Sequence, residues 1–161
     1  MGLRIRIVMV GRVKESYLQA AIAEYLKRLG PYAKVDIVSL PDEPTPDGAA
    51  PAQEEQVKAR EGERILKALE PGQFVVALDG RGQMLSSEEL AEFVAERGLR
   101  GQSNLAFVIG GSLGLSPEVL KRADFKLSLG RMTFLHQMVP MMLLEQVYRG
   151  FKINRGEPYH K

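Results

Sequence analysis

Three glycine-bearing segments carry most of the chemistry available to this chain. Leu105–Ile109 is a short apolar run that stops at Gly110-Gly111, with Ser112-Leu113-Gly114 following. Leu78-Asp79-Gly80 and Leu129-Gly130-Arg131-Met132-Thr133-Phe134 are the other two. Glycine lets the backbone turn sharply and puts no side chain between main chain and ligand. The donors and acceptors offered there are mostly backbone, which suits the edge of a purine. The Gly-x-Gly-x-x-Gly spacing of a dinucleotide site is absent, and no Gly-Lys-Ser/Thr closes a phosphate loop. Taken as a bare pattern, Gly110–Gly114 is equally well a tight turn that touches nothing.

A second group lies at the end of the chain. Arg149, Lys152, Arg155 and Lys161 stand against the single acid Glu157, interleaved with Tyr148, Phe151 and Tyr159. Cations among aromatics hold phosphate and stack on unpaired bases. Arg4, Arg6, Arg12 and Lys14 form another basic group. A solvated tail and an ordinary helix end would have the same composition. His160 beside the terminus is either an acid–base group or part of a frayed end. His136, the only other histidine, reads as a cap or packing residue.

Other chemistries are poorly supplied. The 161 residues include no cysteine, which removes disulfides, thiolate nucleophiles and cysteine metal sites. Two histidines so far apart do not make a metal centre, and no nucleophile elbow is present. A net charge of +2 is too small to argue for bulk nucleic-acid binding by itself. No apolar run reaches the length of a membrane span. Met-Gly-Leu-Arg-Ile-Arg puts charges where a signal peptide needs an apolar segment, so a cytoplasmic location is expected.

The elements that must position these groups alternate. Leu3–Val10, Lys34–Leu40, Phe74–Leu78, Asn104–Ile109 and Phe125–Leu129 read as strands. Glu15–Leu29, Gln53–Leu69, a helix capped by Ser86-Ser87-Glu88-Glu89 and ending near Gly98, Pro117–Arg122 and His136–Phe151 read as helices. Pro41–Ala52, with four prolines, reads as an exposed, mobile loop. The pattern predicts one α/β domain over 1–161, with a mainly parallel sheet and helices on both faces. The carboxyl ends of its strands would bring the three glycine turns together. The last helix is apolar nearly all round, so it is either a central core helix or covered by a second copy of the chain.

Phe107-Val108-Ile109-Gly110-Gly111, Gly114-Leu115-Ser116, Leu127–His136, Glu145-Gln146-Val147-Tyr148-Arg149 and Pro158-Tyr159-His160-Lys161, taken in order, resemble the RlmH family. These are SPOUT-class methyltransferases acting on N3 of a pseudouridine in large-subunit (23S) ribosomal RNA. The resemblance runs over nearly the whole chain from Val8-x-Val10-Gly11 onward. It implies a C-terminal trefoil knot, with a knotted cofactor-binding part at about 74–161, and a homodimer with the last helix in the interface. It implies S-adenosylmethionine bound by Leu78, Gly110, Gly111, Leu129, Gly130, Arg131, Met132, Thr133 and Phe134. It also implies an acceptor site that borrows the basic tail, from the partner subunit in one arrangement. Two departures are visible: Leu135 stands where the family often has proline before His136, and Gly130-Arg131 is more basic than in some members. Neither removes a backbone donor.

Methyl transfer from a sulfonium is an in-line displacement that needs no metal and no covalent enzyme intermediate. Alignment of donor and acceptor can supply roughly 7–11 kcal/mol in favourable cases. The departing imide proton of the acceptor calls for a base or a cation, and His160, Tyr159 and Arg149 are the candidates, with Arg149 or Arg131 stabilising the anion. The low net charge points to assembled ribosomes, whose shape supplies recognition, over free RNA. The alternatives are a non-catalytic ribosome-binding factor of the same fold and a doubly wound nucleotide enzyme with a small-molecule substrate. The basic aromatic tail disfavours the latter.

Overall fold

The apolar runs become the central strands of a five-stranded sheet. The computed structural model describes residues 2–161. Its elements run β1 (Leu3–Val10), α1 (Ser16–Leu29), β2 (Ala33–Leu40), α2 (Pro51–Ala68), β3 (Phe74–Met84), α3 (Ser87–Leu99), β4 (Asn104–Ile109), α4 (Pro117–Arg122), β5 (Phe125–Ser128), a 3-10 turn (His136–Met138) and α5 (Val139–Asn154). The strand order is β2-β1-β4-β3-β5 and every pairing is parallel. Such a sheet must be covered on both faces. Alternate residues of β1 do this: Ile5, Ile7 and Met9 join a core with Ile22 of α1, Val94 of α3 and Leu143 and Val147 of α5. Val8 and Val10 join a second core with Ile65 of α2 and Val119 of α4.

Two helix starts are built as the sequence reads. Ser86 Oγ accepts from Glu89 N at 3.0 Å while Glu89 Oε1 accepts from Ser86 N at 2.7 Å, closing the capping box of α3. Ser116 caps α4 by accepting from Val119 N. The last helix begins differently. His136–Met138 forms a 3-10 turn and the α-helix starts at Val139, with Pro140 in its first turn, where its missing N–H has no partner to lose. The Pro41–Ala52 loop is tied down at one end, because Glu43 receives Arg60 at 3.0 Å and Arg64 at 2.5 Å.

β3 departs most from expectation. The expected strand stops at Leu78, yet β3 continues to Met84. Leu127 of β5 is paired with Leu78 and again with Gln83, so the chain from Asp79 leaves the ladder and returns to it. Gly82 allows the return, since a β-carbon there would stand 2.6 Å from the carbonyl of Lys126.

The crossover from β1 leads outward to β2, while β4 leads by way of α4 to β5 on the other side. Where connections diverge in this way, the carboxyl ends of the two strands leave a crevice. A separate cleft lies at the ends of β4, β3 and β5.

Candidate active site

β4, β3 and β5 are neighbours in the sheet, so their carboxyl ends meet. Leu78 and Gly80, then Gly110, Gly111 and Gly114, then the whole Leu129–Phe134 segment, line one cleft of about 310 Å³. All nine residues that the family resemblance implies for a cofactor share this one cavity. Ile109, Leu127 and Val139 supply apolar wall.

The turns are held by their own main chain. Gly114 N donates to Gly111 O at 3.0 Å. A β-carbon at Gly110 would lie 2.8 Å from the Gly114 carbonyl, so only glycine permits this approach. Ser128 Oγ donates to Gly130 O at 3.1 Å and accepts from Gly130 N at 3.2 Å, fixing the start of the third turn, where Gly130 has a φ of +145°. Beyond it, the main-chain groups of Arg131–Phe134 have no hydrogen-bond partner among the described residues. They are free to meet a ligand edge. Arg131 has no ion-pair partner among the described residues either.

The structure also brings Arg149, Tyr159 and His160 together, but in a different place. Arg149 Nη2 donates to Glu145 Oε2 at 2.6 Å, and Tyr159 OH donates to the same oxygen at 2.8 Å. Arg149 lies over the Tyr159 ring, 4.8 Å from its centroid. Burial, with hydrogen bonds to Tyr25 and Glu145, pushes the Tyr159 phenol above the usual tyrosine range. The bond to Glu145 holds the Arg149 guanidinium firmly charged. His160 Nδ1 is 3.1 Å from Arg149 Nη1, and its Nε2 is 2.6 Å from Glu88 Oε1. Arginine only donates, so Nδ1 accepts and the ring proton sits on Nε2, facing Glu88.

None of these three lines the glycine cleft of its own chain. Glu145, which Arg149 and Tyr159 share, lines an adjoining, more apolar cleft of about 540 Å³ with Ser128, and Leu127 and Leu129 belong to both cavities. The tail cluster and the glycine cleft are thus neighbours across Leu127 and Leu129.

Residues 3–160 match the family model described as "Predicted SPOUT methyltransferase". The chain belongs to the SPOUT methyltransferase family. Within it, the chain is 70% identical to the ribosomal RNA large subunit methyltransferase H of Symbiobacterium thermophilum, over 99% of this chain and 100% of that protein. It is 59% identical to the protein of the same name from Carboxydothermus hydrogenoformans, again over 99% and 100%. Two solved structures share this fold at low identity. A probable methyltransferase from Bordetella pertussis Tohama I superposes with a TM-score of 0.55 at 18% identity, covering 92% of this chain and 94% of that one. A probable methylase family protein from Haemophilus influenzae Rd KW20 gives 0.54 at 17%, covering 98% and 70%.

As a SPOUT methyltransferase the chain is an enzyme that moves a methyl group. No cluster of His, Cys, Asp or Glu among the described residues has the makings of a metal site. No helix among them is long and apolar enough to cross a membrane.

One residue of note escapes the sequence analysis. Glu61 is 4% exposed, in the middle of α2. Its Oε2 accepts from Glu43 N at 3.0 Å, while its Oε1 has no partner. Burial pushes its carboxyl above the usual carboxylate range. The sequence does hold a signal: Val57, Glu61 and Ile65 recur every fourth residue, all three buried, so the carboxylate sits on the core stripe of its helix. A buried, half-satisfied carboxylate is costly and calls for an explanation.

Proposed function

We propose that this protein transfers the methyl group of S-adenosylmethionine to N3 of a pseudouridine in large-subunit ribosomal RNA, acting on assembled ribosomes in the cytoplasm as a homodimer. Three glycine-bearing turns meeting in one cleft of bare main chain carry the proposal. The names of the full-length relatives support the RNA substrate. The part of the chain over about 74–161 forms the trefoil knot that holds the donor.

The residues of the cleft fit an adenosyl group. Ile109, Leu127 and Val139 offer an apolar wall to a flat base, and the unengaged main chain of Arg131–Phe134 offers donors and acceptors to its edge. When bound, the donor supplies an electrophilic methyl carbon on a sulfonium. The chain supplies position and charge. Leu78, Gly110, Gly111 and Leu129–Phe134 hold the donor, and the tail cluster attends the acceptor. N3 of the pseudouridine forms its bond to the methyl carbon as the carbon–sulfur bond breaks, and the imide proton leaves.

Arg149 and Arg131 stabilise the negative charge that develops on the imide. Tyr159 is a hydrogen-bond donor to Glu145 in this arrangement, so its role is to orient the carboxylate and Arg149. His160 takes the proton at Nδ1 once the tail leaves Arg149 and Glu88. Because the cluster lies outside the cleft of its own chain, the tail of the partner subunit completes the acceptor site.

The decisive experiment is mass mapping of ribosomal RNA from a deletion strain, with and without purified protein added back to its ribosomal particles. One methylated pseudouridine, restored by protein and donor together, is expected. Comparable rates on protein-free transcript would refute action on assembled ribosomes. Absence of calorimetric heat with S-adenosylmethionine would favour a ribosome-binding factor without chemistry.

A further inference from the structure

Side chains alternate along β1, so Arg4 and Arg6 share a sheet face with Val8 and Val10. The core beneath α2 and α4 takes in the two valines but neither arginine. At the arginines the surface opens into a cleft of about 430 Å³, with Arg4, Arg6, Lys34, Asp36, Glu70 and Asn104 among its walls. This cleft lies at the amino ends of the strands. The donor cleft lies at the carboxyl ends, as does a crevice of about 350 Å³ that meets it at Gly111. The 8 residues of β1 hold the two ends roughly 25 Å apart. We propose that the amino-end cleft is a second contact for the RNA substrate, in which Arg4 and Lys34 together hold a phosphodiester of the ribosomal RNA backbone far from the methylated base. The proposal rests on the RNA substrate proposed above.

The strand register sets two cations side by side. Arg4 is paired directly with Lys34 across β1 and β2, and both residues are exposed. Like charges facing each other on neighbouring strands destabilise a sheet. The next pair on the same face has the opposite arrangement: Arg6 donates to both carboxylate oxygens of Asp36, at 2.9 and 2.8 Å. That bond holds the Asp36 carboxyl below the usual carboxylate range and commits it to Arg6. On the other side of Arg4, Asn104 is taken up by Glu70 at 3.0 Å and Gln73 at 3.2 Å. Arg4 and Lys34 form no ion pair among the described residues. An anion held between them relieves their repulsion and gains a charge-assisted bond from each.

Ribosomal RNA supplies that anion in the form the pair suits. Its backbone presents phosphates on every side of the target, and a cation that meets one releases a counterion. Phosphate contacts fix register and orientation without reading sequence. A contact roughly 25 Å from the reacting base therefore orients a small enzyme on a large particle, and a few such contacts suffice for a chain of net charge +2. The basic group formed by Arg4, Arg6, Arg12 and Lys14 in the sequence is thus divided in the fold. Arg6 is neutralised by Asp36, Arg4 joins Lys34, and Arg12 and Lys14 stand beyond the other end of β1.

The test measures the affinity of the full-length protein for ribosomal particles over a salt series. Arg4→Gln combined with Lys34→Gln should weaken binding about tenfold at moderate salt and make the slope of log affinity against log salt shallower by about one. Affinity for S-adenosylmethionine and turnover at saturating particles should stay within about twofold, so that the loss appears in KM. Lys34→Glu should bind particles at least as weakly and melt at a higher temperature, because it replaces a like-charge pair by an opposite one. Lys67→Gln combined with Lys121→Gln removes the same charge at two exposed lysines outside the cleft, and should leave particle affinity within about twofold. Unchanged particle affinity in Arg4→Gln, Lys34→Gln would overturn the inference. An equal loss in the Lys67, Lys121 pair would reduce the effect to net charge and overturn it too, as would loss of donor binding or of turnover at saturation in the Arg4, Lys34 pair. Inorganic phosphate that shifts the Arg4 side-chain NMR signal, with particle affinity unaltered by the two substitutions, would assign the cleft to a free anion and overturn the RNA contact. If the wild type neither binds nor methylates ribosomal particles, the RNA substrate is misassigned and this contact falls with it.

Discussion

Tyr159 and Glu145 are joined by a 2.8 Å hydrogen bond that fastens the last residues of the chain to the middle of α5. Arg149 reaches the same carboxylate from one turn further along. The phenol is held above its ordinary pKa of 10.0, so between that value and the raised one the folded state keeps a proton that the unfolded state has lost. Stability is therefore full below about pH 10 and declines as pH rises further. Lys152, also raised by its bond to Tyr32, adds a decline of the same sign. Tyr159→Phe should cost about 1 kcal/mol at neutral pH and show a shallower alkaline decline than wild type. Denaturant titrations at neutral and alkaline pH measure both. Identical slopes would mean that the Tyr159 proton is not linked to folding.

His160 is the proposed proton acceptor, and both of its ring nitrogens are engaged by Arg149 and Glu88. His160→Ala should lower turnover on ribosomal particles about a hundredfold or more, as loss of a general base does, with little change in affinity for the particles. Full turnover at unchanged affinity would remove His160 as the base.

Gly110→Ala would drive a β-carbon to 2.8 Å from the Gly114 carbonyl, and backbone cannot move aside as a flexible side chain can. Loss of measurable S-adenosylmethionine binding is expected, with the sheet intact by circular dichroism. Gly98 in α3 meets nothing within 4 Å of its would-be β-carbon and serves as the control. Gly98→Ala should bind the donor normally and gain roughly 0.5–1 kcal/mol of stability from helix propensity. Equal binding by both variants would show that the Gly110 turn does not shape the donor site.

Glu61 carries a burial penalty when ionised. Its raised pKa means that the native state holds a proton longer than the unfolded chain, so stability falls as pH rises above the ordinary value of 4.5. Glu61→Gln removes the charge. Its melting temperature at neutral pH should exceed wild type by about 2–4 °C, and the difference should vanish in acid. A lower melting temperature at neutral pH would show that the carboxylate stabilises the fold.

Much of the site is legible in the sequence because it consists of backbone. Runs such as Leu105–Ile109 end at glycine, the parallel sheet gathers such ends on one edge, and the cleft follows from that arrangement alone. What escapes the sequence depends on contacts between distant residues. The return of β3 to the ladder at Gln83 rests on Gly82 lying against Lys126, which no local pattern around Arg81-Gly82-Gln83 announces. The start of α5 at Val139 is set by a 3-10 turn whose His136 Nε2 sits 2.8 Å from the Val10 carbonyl at the end of β1, 126 residues earlier. The tail has the same composition whether frayed or docked; its docking follows from Glu145 and Glu88, one on each of two helices. Glu61 is hidden among the charged residues of α2 until its spacing from Val57 and Ile65 is weighed.

Gly111 stands in the shared wall of two cavities with a carboxylate pressed close behind it. A larger residue at that position cannot remodel one chamber without crowding the other. Attempts to widen this enzyme for bulkier alkyl donors should therefore start at the open rim around Met132, which is 77% exposed, and leave the partition untouched.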